Sequence, residues 1–160
     1  DALACRRMAE RARAEGVLGS LDIDNFFEGT DGLLPLVDVL IASAEFPKKL
    51  LGIDDSRAAL RELKKRFGCE VVGVTLGESG SLLLCGDSFV ETPGFAVPGG
   101  CRDTTGAGDA FRVGLIYGIL RGESVAESAR LANAVAALKC REVGARTALP
   151  DESELRSLLK

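Results

Sequence analysis

Apolar residues recur along the chain with two different periods, and the alternation of those periods lays out its elements. Residues 2–15 are rich in Ala, Arg and Glu, with Leu3 and Met8 on the apolar face, and read as a helix that Gly16 stops. "VLGSLDID" (17–24) reads as a strand ending in acidic residues, and "LPLVDVLIAS" (34–43) as the near-continuous apolar run of a strand covered on both sheet faces. Leu60, Leu63 and Phe67 recur at helical spacing within 54–67, behind a cap at Asp54, Asp55 or Ser56. "CEVVGVTLG" (69–77) is the most strand-like stretch, and "SLLLCGDSFVE" (81–91) reads as a hairpin around a Gly-Asp turn. After the loop "TPGFAVPGG", residues 109–120 are apolar around most of a helical circumference, which predicts a buried helix. Ser124 and Glu127 match a capping box for a helix running to about Cys140, and Asp151 with Glu154 starts a last short helix.

Strands alternating with helices predict an α/β fold with a largely parallel sheet. Ligands bind such sheets beyond the carboxyl ends of the strands, which directs attention to "LDID", "IASAE", "TLGESG" and "DTTGAGD".

Composition narrows the chemistry. With 46% hydrophobic and 28% charged residues, the 160-residue chain has enough apolar material for a real core and does not read as disordered. The net charge of −4, the absence of tryptophan and the single tyrosine argue against a nucleic-acid partner. No stretch is apolar for the length of a membrane span and the start lacks a signal-peptide layout, so a cytoplasmic protein without a membrane partner is expected. Five scattered cysteines without C-x-x-C spacing predict reduced, mostly buried thiols. Histidine is absent, which removes Ser-His-Asp and Cys-His relays and any imidazole metal site. Chemistry here falls to carboxylates, backbone amides, Lys, Arg and hydroxyls.

Three familiar motifs are incomplete. Gly106, Gly108 and Phe111 give G-x-G-x-x-F, without the third glycine of a dinucleotide fingerprint. "GESGS" (77–81) does not complete G-x-S-x-G and has no histidine to serve it, and no Walker-type G-x-x-x-x-G-K-[ST] occurs. What remains is "DTTGAGD", where the backbone amides of Gly106, Ala107 and Gly108 can converge at a helix N-terminus and hold an anion. Asp109 follows at once. It is either a favourable acidic residue in a first helical turn or a base that takes a proton from a hydroxyl attacking a phosphoryl group.

"DTTGAGDAF" (Asp103 to Phe111) matches the signature D-T-x-G-A-G-D-x-F, and by it the chain resembles the C-terminal half of the ribokinase-like (PfkB) carbohydrate kinases. The resemblance covers most of the chain. It implies a ribokinase-like three-layer α/β fold, here the nucleotide-binding and catalytic portion over 1–160, with a mostly parallel central sheet flanked by helices. It implies that Asp109 is the catalytic base and that Gly106, Ala107 and Gly108 form the anion hole. It also implies ATP as phosphoryl donor, with "TLGESG" (Thr75, Leu76, Gly77, Glu78, Ser79, Gly80) and Asn133 as nucleotide-binding elements; read without the resemblance, these are a strand-to-turn junction and an exposed polar helix residue. Asp103 and Thr105 are implied to line a monovalent-cation (potassium) site, completed by backbone carbonyls near Lys139, Glu142 and Gly144.

Two departures from the family pattern stand out. Where many members carry N-x-x-E, this chain has "IASAEFP", with Ser43 at the asparagine position and Phe46 at the glutamate position. Glu45, displaced by one, is left to reach magnesium through water. The family's N-terminal half, with its sugar-contacting residues and lid, has no counterpart here, and "DALACRRMAERARAEG" enters directly into a helical pattern. The expected activity is therefore ATP-dependent phosphorylation of a hydroxyl on a sugar or sugar-like alcohol, with pairing to such a half or a homodimer completing it. The alternative is a non-catalytic nucleotide-binding fragment that acts only in assembly.

Overall fold

The computed structural model describes residues 2–160. The chain divides into two units, one reaching Thr75 and including Leu82–Phe89, the other made of Leu76–Ser81 with Val90–Lys160.

In the first unit, α1 (Ala2–Ala14) is held by good helix formers and by ion pairs one turn apart, Arg6 to Glu10 at 2.8 Å and Arg11 to Glu15 at 2.9 Å. Leu3 and Met8 remain 56% and 73% exposed, so the expected apolar face is not a buried one. Then follow β1 (Ser20–Ile23), the single turn α2 (Thr30–Leu33), β2 (Val39–Ser43), α3 (Glu45–Leu51), α4 (Ser56–Phe67) and β3 (Val71–Thr75). The strands lie in the order β1-β2-β3-β4-β5, with β4 (Ser81–Cys85) and β5 (Ser88–Thr92) closing the sheet. β1, β2 and β3 pair in parallel, Ser20 opposite Val39 and Val39 opposite Val71. The links from β3 to β4 and from β4 to β5 are too short for a crossover, so β4 runs against its neighbours. The remaining strands share one direction, the mostly parallel sheet expected.

β2 and β3 are buried along nearly their whole length, as the apolar runs require. Leu40, Ile41, Val72, Val74 and Leu83 of the sheet and Phe46, Leu60 and Leu63 of the helices are at most 1% exposed and form this core. The predicted strand 34–43 begins only at Val39. Leu34–Leu36 form a 3-10 turn around Pro35, which has no N–H for a ladder, and the Asp38 carboxylate caps the Gly19 amide at 2.7 Å. α3 was not legible because Pro47 reads as a breaker, yet it sits in the first turn, where its missing N–H costs nothing. Asp55 proves to be the α4 cap, accepting from the Ala58 amide at 2.7 Å.

The second unit is built on α5 (Ala107–Leu120), α6 (Val125–Lys139) and α7 (Glu152–Leu158). α5 and α6 approach closely because small residues face each other one turn apart on both helices. A Cβ on Gly114 would lie 2.7 Å from the Ala132 Cα, and one on Gly118 2.6 Å from the Ser128 hydroxyl. α5 is buried on this face only, since Val113 and Leu120 are 62% and 80% exposed, which corrects the expectation of a helix buried all round. Ser124 caps α6 through the Glu127 amide, but the reciprocal bond of a capping box forms only at α7, between Asp151 and Glu154. Leu155 seats α7 on Ala110, Ala134, Val135 and Leu138. The thiols are all free, and only Cys69 and Cys140 are buried; Cys5 and Cys101 are exposed and Cys85 is half-buried, fewer buried than expected.

Candidate active site

In the second unit the "DTTGAGD" loop lies on a floor made by residues 139–145. The Arg102 amide donates to the Cys140 carbonyl at 2.9 Å, and Gly106 backs directly onto Ala145. Gly106 adopts φ 79°, a left-handed conformation that turns the chain into α5, and a Cβ there would meet the Ala145 carbonyl at 2.8 Å. Glycine is thus required twice over. The Ala107 amide donates to the Thr104 carbonyl at 3.0 Å and closes the turn. The amides of Gly106, Gly108 and Asp109 have no acceptor among the described residues and remain open at the N-terminus of a 14-residue helix. A Cβ on Gly108 would meet nothing within 4 Å, so this side of the loop faces open space.

Asp109 stands in the first turn of α5 with its side chain 78% exposed. Its Oδ1 accepts from the Arg112 guanidinium at 2.7 Å, which fixes the carboxylate's direction from one turn further along. Arg112 did not stand out in the sequence; the i, i+3 spacing of opposite charges was the available signal.

Asp103 organises the loop from its other end. Its Oδ1 accepts from the Thr105 amide at 2.9 Å and its Oδ2 from the Gly144 amide at 2.7 Å. These two backbone bonds, with help from the Thr105 hydroxyl and the Lys139 charge, pull its pKa down from 3.8 to about 2. Its carbonyl accepts from the Lys139 ammonium at 2.7 Å. Each oxygen of Asp103 thus already accepts from a donor, and the ammonium on its carbonyl sets a positive charge against any potassium ion that would bind the same oxygen. Glu142, another residue of the implied cation site, is exposed and pairs with Arg102 at 3.3 Å.

Next to this loop is a pocket of about 680 Å³ that gathers the three stretches singled out in the sequence. Gly77 and Glu78 come from "TLGESG", Thr104 and Ala107 from "DTTGAGD", and Asn133 from α6. Phe95, Ala136 and Ala137 add apolar wall that no motif announced. Asn133 is only 6% exposed, not the exposed polar helix residue expected without the resemblance; its Nδ2 donates to the Ser81 hydroxyl at 3.0 Å and to the Thr92 carbonyl at 3.3 Å. Oδ1 has no partner among the described residues and can accept from a ligand. Leu76, Ser79 and Gly80 shape the turn instead of lining the pocket: the Leu76 amide donates to the Gly80 carbonyl at 2.8 Å, and a Cβ on Gly80 would run into the backbone of Thr92–Gly94. Thr75 ends β3 in the first unit, and Glu45, at the start of α3, belongs to that unit as well and is exposed. Among the described residues no group of three or more His, Cys, Asp or Glu comes together to cage a metal.

The fold and this site define an α/β protein with an anion-ready helix N-terminus opening beside a mostly apolar pocket. The chain belongs to the pfkB family of carbohydrate kinases, whose model matches residues 2–152. It is 32% identical to the aminoimidazole riboside kinase of Salmonella typhimurium, over 98% of this chain and 53% of that protein. A crystal structure of aminoimidazole riboside kinase from Salmonella enterica, complexed with aminoimidazole riboside and an ATP analog, superposes with a TM-score of 0.85 at 29% identity, covering 98% of this chain and 57% of that one. Arabidopsis thaliana ribokinase, complexed with ribose and ATP, superposes with a TM-score of 0.89 at 26% identity, covering 100% and 53%. The chain spans about half the length of these relatives.

Proposed function

We propose that this chain is the nucleotide-binding and catalytic portion of an ATP-dependent phosphotransferase acting on a hydroxyl of a sugar or sugar-like alcohol. The observation that carries the reading is the single pocket shared by "TLGESG", "DTTGAGD" and Asn133, with open amides at its rim. The base of ATP suits the apolar wall of Phe95, Ala136 and Ala137, where Asn133 Oδ1 accepts a hydrogen bond. The phosphates then run toward the start of α5. There the amides of Gly106 and Gly108 and the helix dipole meet the charge that develops on the transferred group. Asp109 takes the proton of the attacking hydroxyl while the Arg112 guanidinium keeps its carboxylate aimed. Magnesium, when bound with ATP, would supply charge neutralisation on the phosphates; no group of three or more His, Cys, Asp or Glu comes together among the described residues to cage it. The relatives' bound molecules, ribose or aminoimidazole riboside with ATP or its analog, support the substrate class.

One observation favours the alternative of a binding-only piece. The Asp109 side chain is 78% exposed, and no described residue screens it from water as phosphoryl transfer requires. Residues beyond this chain, or a second copy of it, would have to supply the screen and the sugar contacts. None of the described helices is long and apolar enough to cross a membrane. The test is transfer of labelled phosphate from ATP to a panel of pentoses, hexoses, ketoses and ribosides by the full-length protein. Transfer to at least one supports the enzyme, and nucleotide binding without any transfer supports the fragment.

A further inference from the structure

We propose that the Lys139 ammonium does, as a built-in part of the chain, the work of a monovalent cation at the foot of the 103–109 loop, so that the site operates without potassium. For what the loop binds, this rests on the phosphotransferase reading above; the placement of the charge does not.

Lys139 is the last residue of α6 and its side chain is 0% exposed. Burying an ammonium is costly unless its protons find acceptors, and lysine is rarely buried without a paired carboxylate. Here no carboxylate lies within ion-pair distance of Nζ among the described residues; the partner is a backbone oxygen, the Asp103 carbonyl, at 2.7 Å. That is how a potassium ion is held by protein, through carbonyl oxygens, and an ammonium group is close to potassium in charge and size. The end of α6 suits a positive charge, because the negative end of the helix dipole lies there.

The bond sits where it can set the loop's shape. Asp103 is tied at three points: its carbonyl to Lys139, Oδ1 to the Thr105 amide and Oδ2 to the Gly144 amide. Thr105 leads directly into Gly106, whose left-handed turn presents the open amides of α5. Lys139 touches neither the pocket nor the open amides, so it is a positioning residue. A free ion held at the same point would be saturable and would make activity follow salt composition. A tethered charge is always in place.

The experiment compares wild type, Lys139→Ala and Lys139→Met in the full-length protein, at constant ionic strength, in choline, sodium, potassium or ammonium chloride. Phosphoryl transfer is one readout. The other is binding of thallium(I), a potassium surrogate, followed by thallium NMR and by the shift in melting temperature, neither of which requires activity. Wild type is expected to be indifferent to the cation and to show no bound thallium. Lys139→Ala vacates space beside the Asp103 carbonyl; it is expected to lose turnover on the order of tenfold, to recover with potassium or ammonium but not choline, and to gain a thallium site. Lys139→Met keeps the volume and loses the charge, so no cation should rescue it. Potassium activation or thallium binding in wild type overturns the proposal, as does a folded Lys139→Ala that no cation affects. Should the alanine variant fail to fold, the wild-type measurements decide alone. Should no sugar be phosphorylated by any form, the phosphotransferase reading fails while thallium binding still decides the role of Lys139.

Discussion

Two glycines two residues apart in the anion loop are under opposite constraints, and the same substitution should separate them. Gly106 holds φ 79°, and a Cβ there would lie 2.8 Å from the Ala145 carbonyl and 3.0 Å from the Ala145 Cβ. Forcing an alanine into left-handed backbone costs about 1–2 kcal/mol, and pressing its methyl against a fixed backbone adds about 1–3 kcal/mol. Gly106→Ala should therefore destabilise the protein by about 3 kcal/mol, or lower its melting temperature by roughly 6–12 °C for a chain of this size. Gly108 lies inside α5 with ordinary backbone, and a Cβ there would have no atom within 4 Å, so alanine gains helix propensity of up to about 1 kcal/mol. Calorimetric melting of both variants, with nucleotide titration of each, provides the check. Gly108→Val should likewise stay folded but lose nucleotide affinity, because its methyls enter the space facing the open amides. If Gly106→Ala melts with wild type, or if both alanine variants lose stability equally, the loop is not built on a left-handed turn against Ala145.

Other positions give independent checks. Gly114→Leu should push α5 from α6 and cost about 1–3 kcal/mol or more, measured by urea unfolding, since its Cβ would start 2.7 Å from the Ala132 Cα. The Asp103 carboxyl titrates near 2 in the folded chain against an ordinary 3.8; the unfolded state binds the proton more tightly, so its stabilising effect is complete above about pH 4 and disappears as pH falls toward 2. Asp103→Asn should flatten stability over that window in acid melts. Asn133→Leu should weaken nucleotide binding in calorimetry and also lower stability, because the Ser81 hydroxyl and Thr92 carbonyl lose their donor.

The elements that the sequence made legible are those in which one local rule dominates. Val39–Ser43 and Val71–Thr75 are unbroken apolar runs, Asp55 and Asp151 are caps of standard chemistry, and Gly86-Asp87 is a turn between two apolar stretches. Pro35 and Pro47 act through position, one shortening a strand through a 3-10 turn and the other fitting inside a helix start, and position in a turn is not read from the residue type alone. The α5–α6 contact was hidden because glycine carries no hydrophobic signal, though Gly114 and Gly118 are spaced to match Ser128 and Ala132. At the site, the motif identified the loop, but its tertiary supports were out of reach. Arg112 on Asp109 left only its i, i+3 spacing as a signal, while Ala145 beneath Gly106 and the Lys139 ammonium on the Asp103 carbonyl are long-range meetings that no spacing along the chain encodes.

The central claim is that Asp109 is a base beside an anion-binding helix N-terminus, and replacing its carboxylate by the isosteric amide tests it most directly. Steady-state turnover of full-length Asp109→Asn, with ATP and whichever sugar the wild type accepts, should fall by roughly 10² to 10⁴ while ATP affinity changes little, because proton acceptance is lost and the amides of Gly106 and Gly108 stay in place. Turnover close to wild type would contradict the account and leave Asp109 as an acidic residue suited to the first turn of α5.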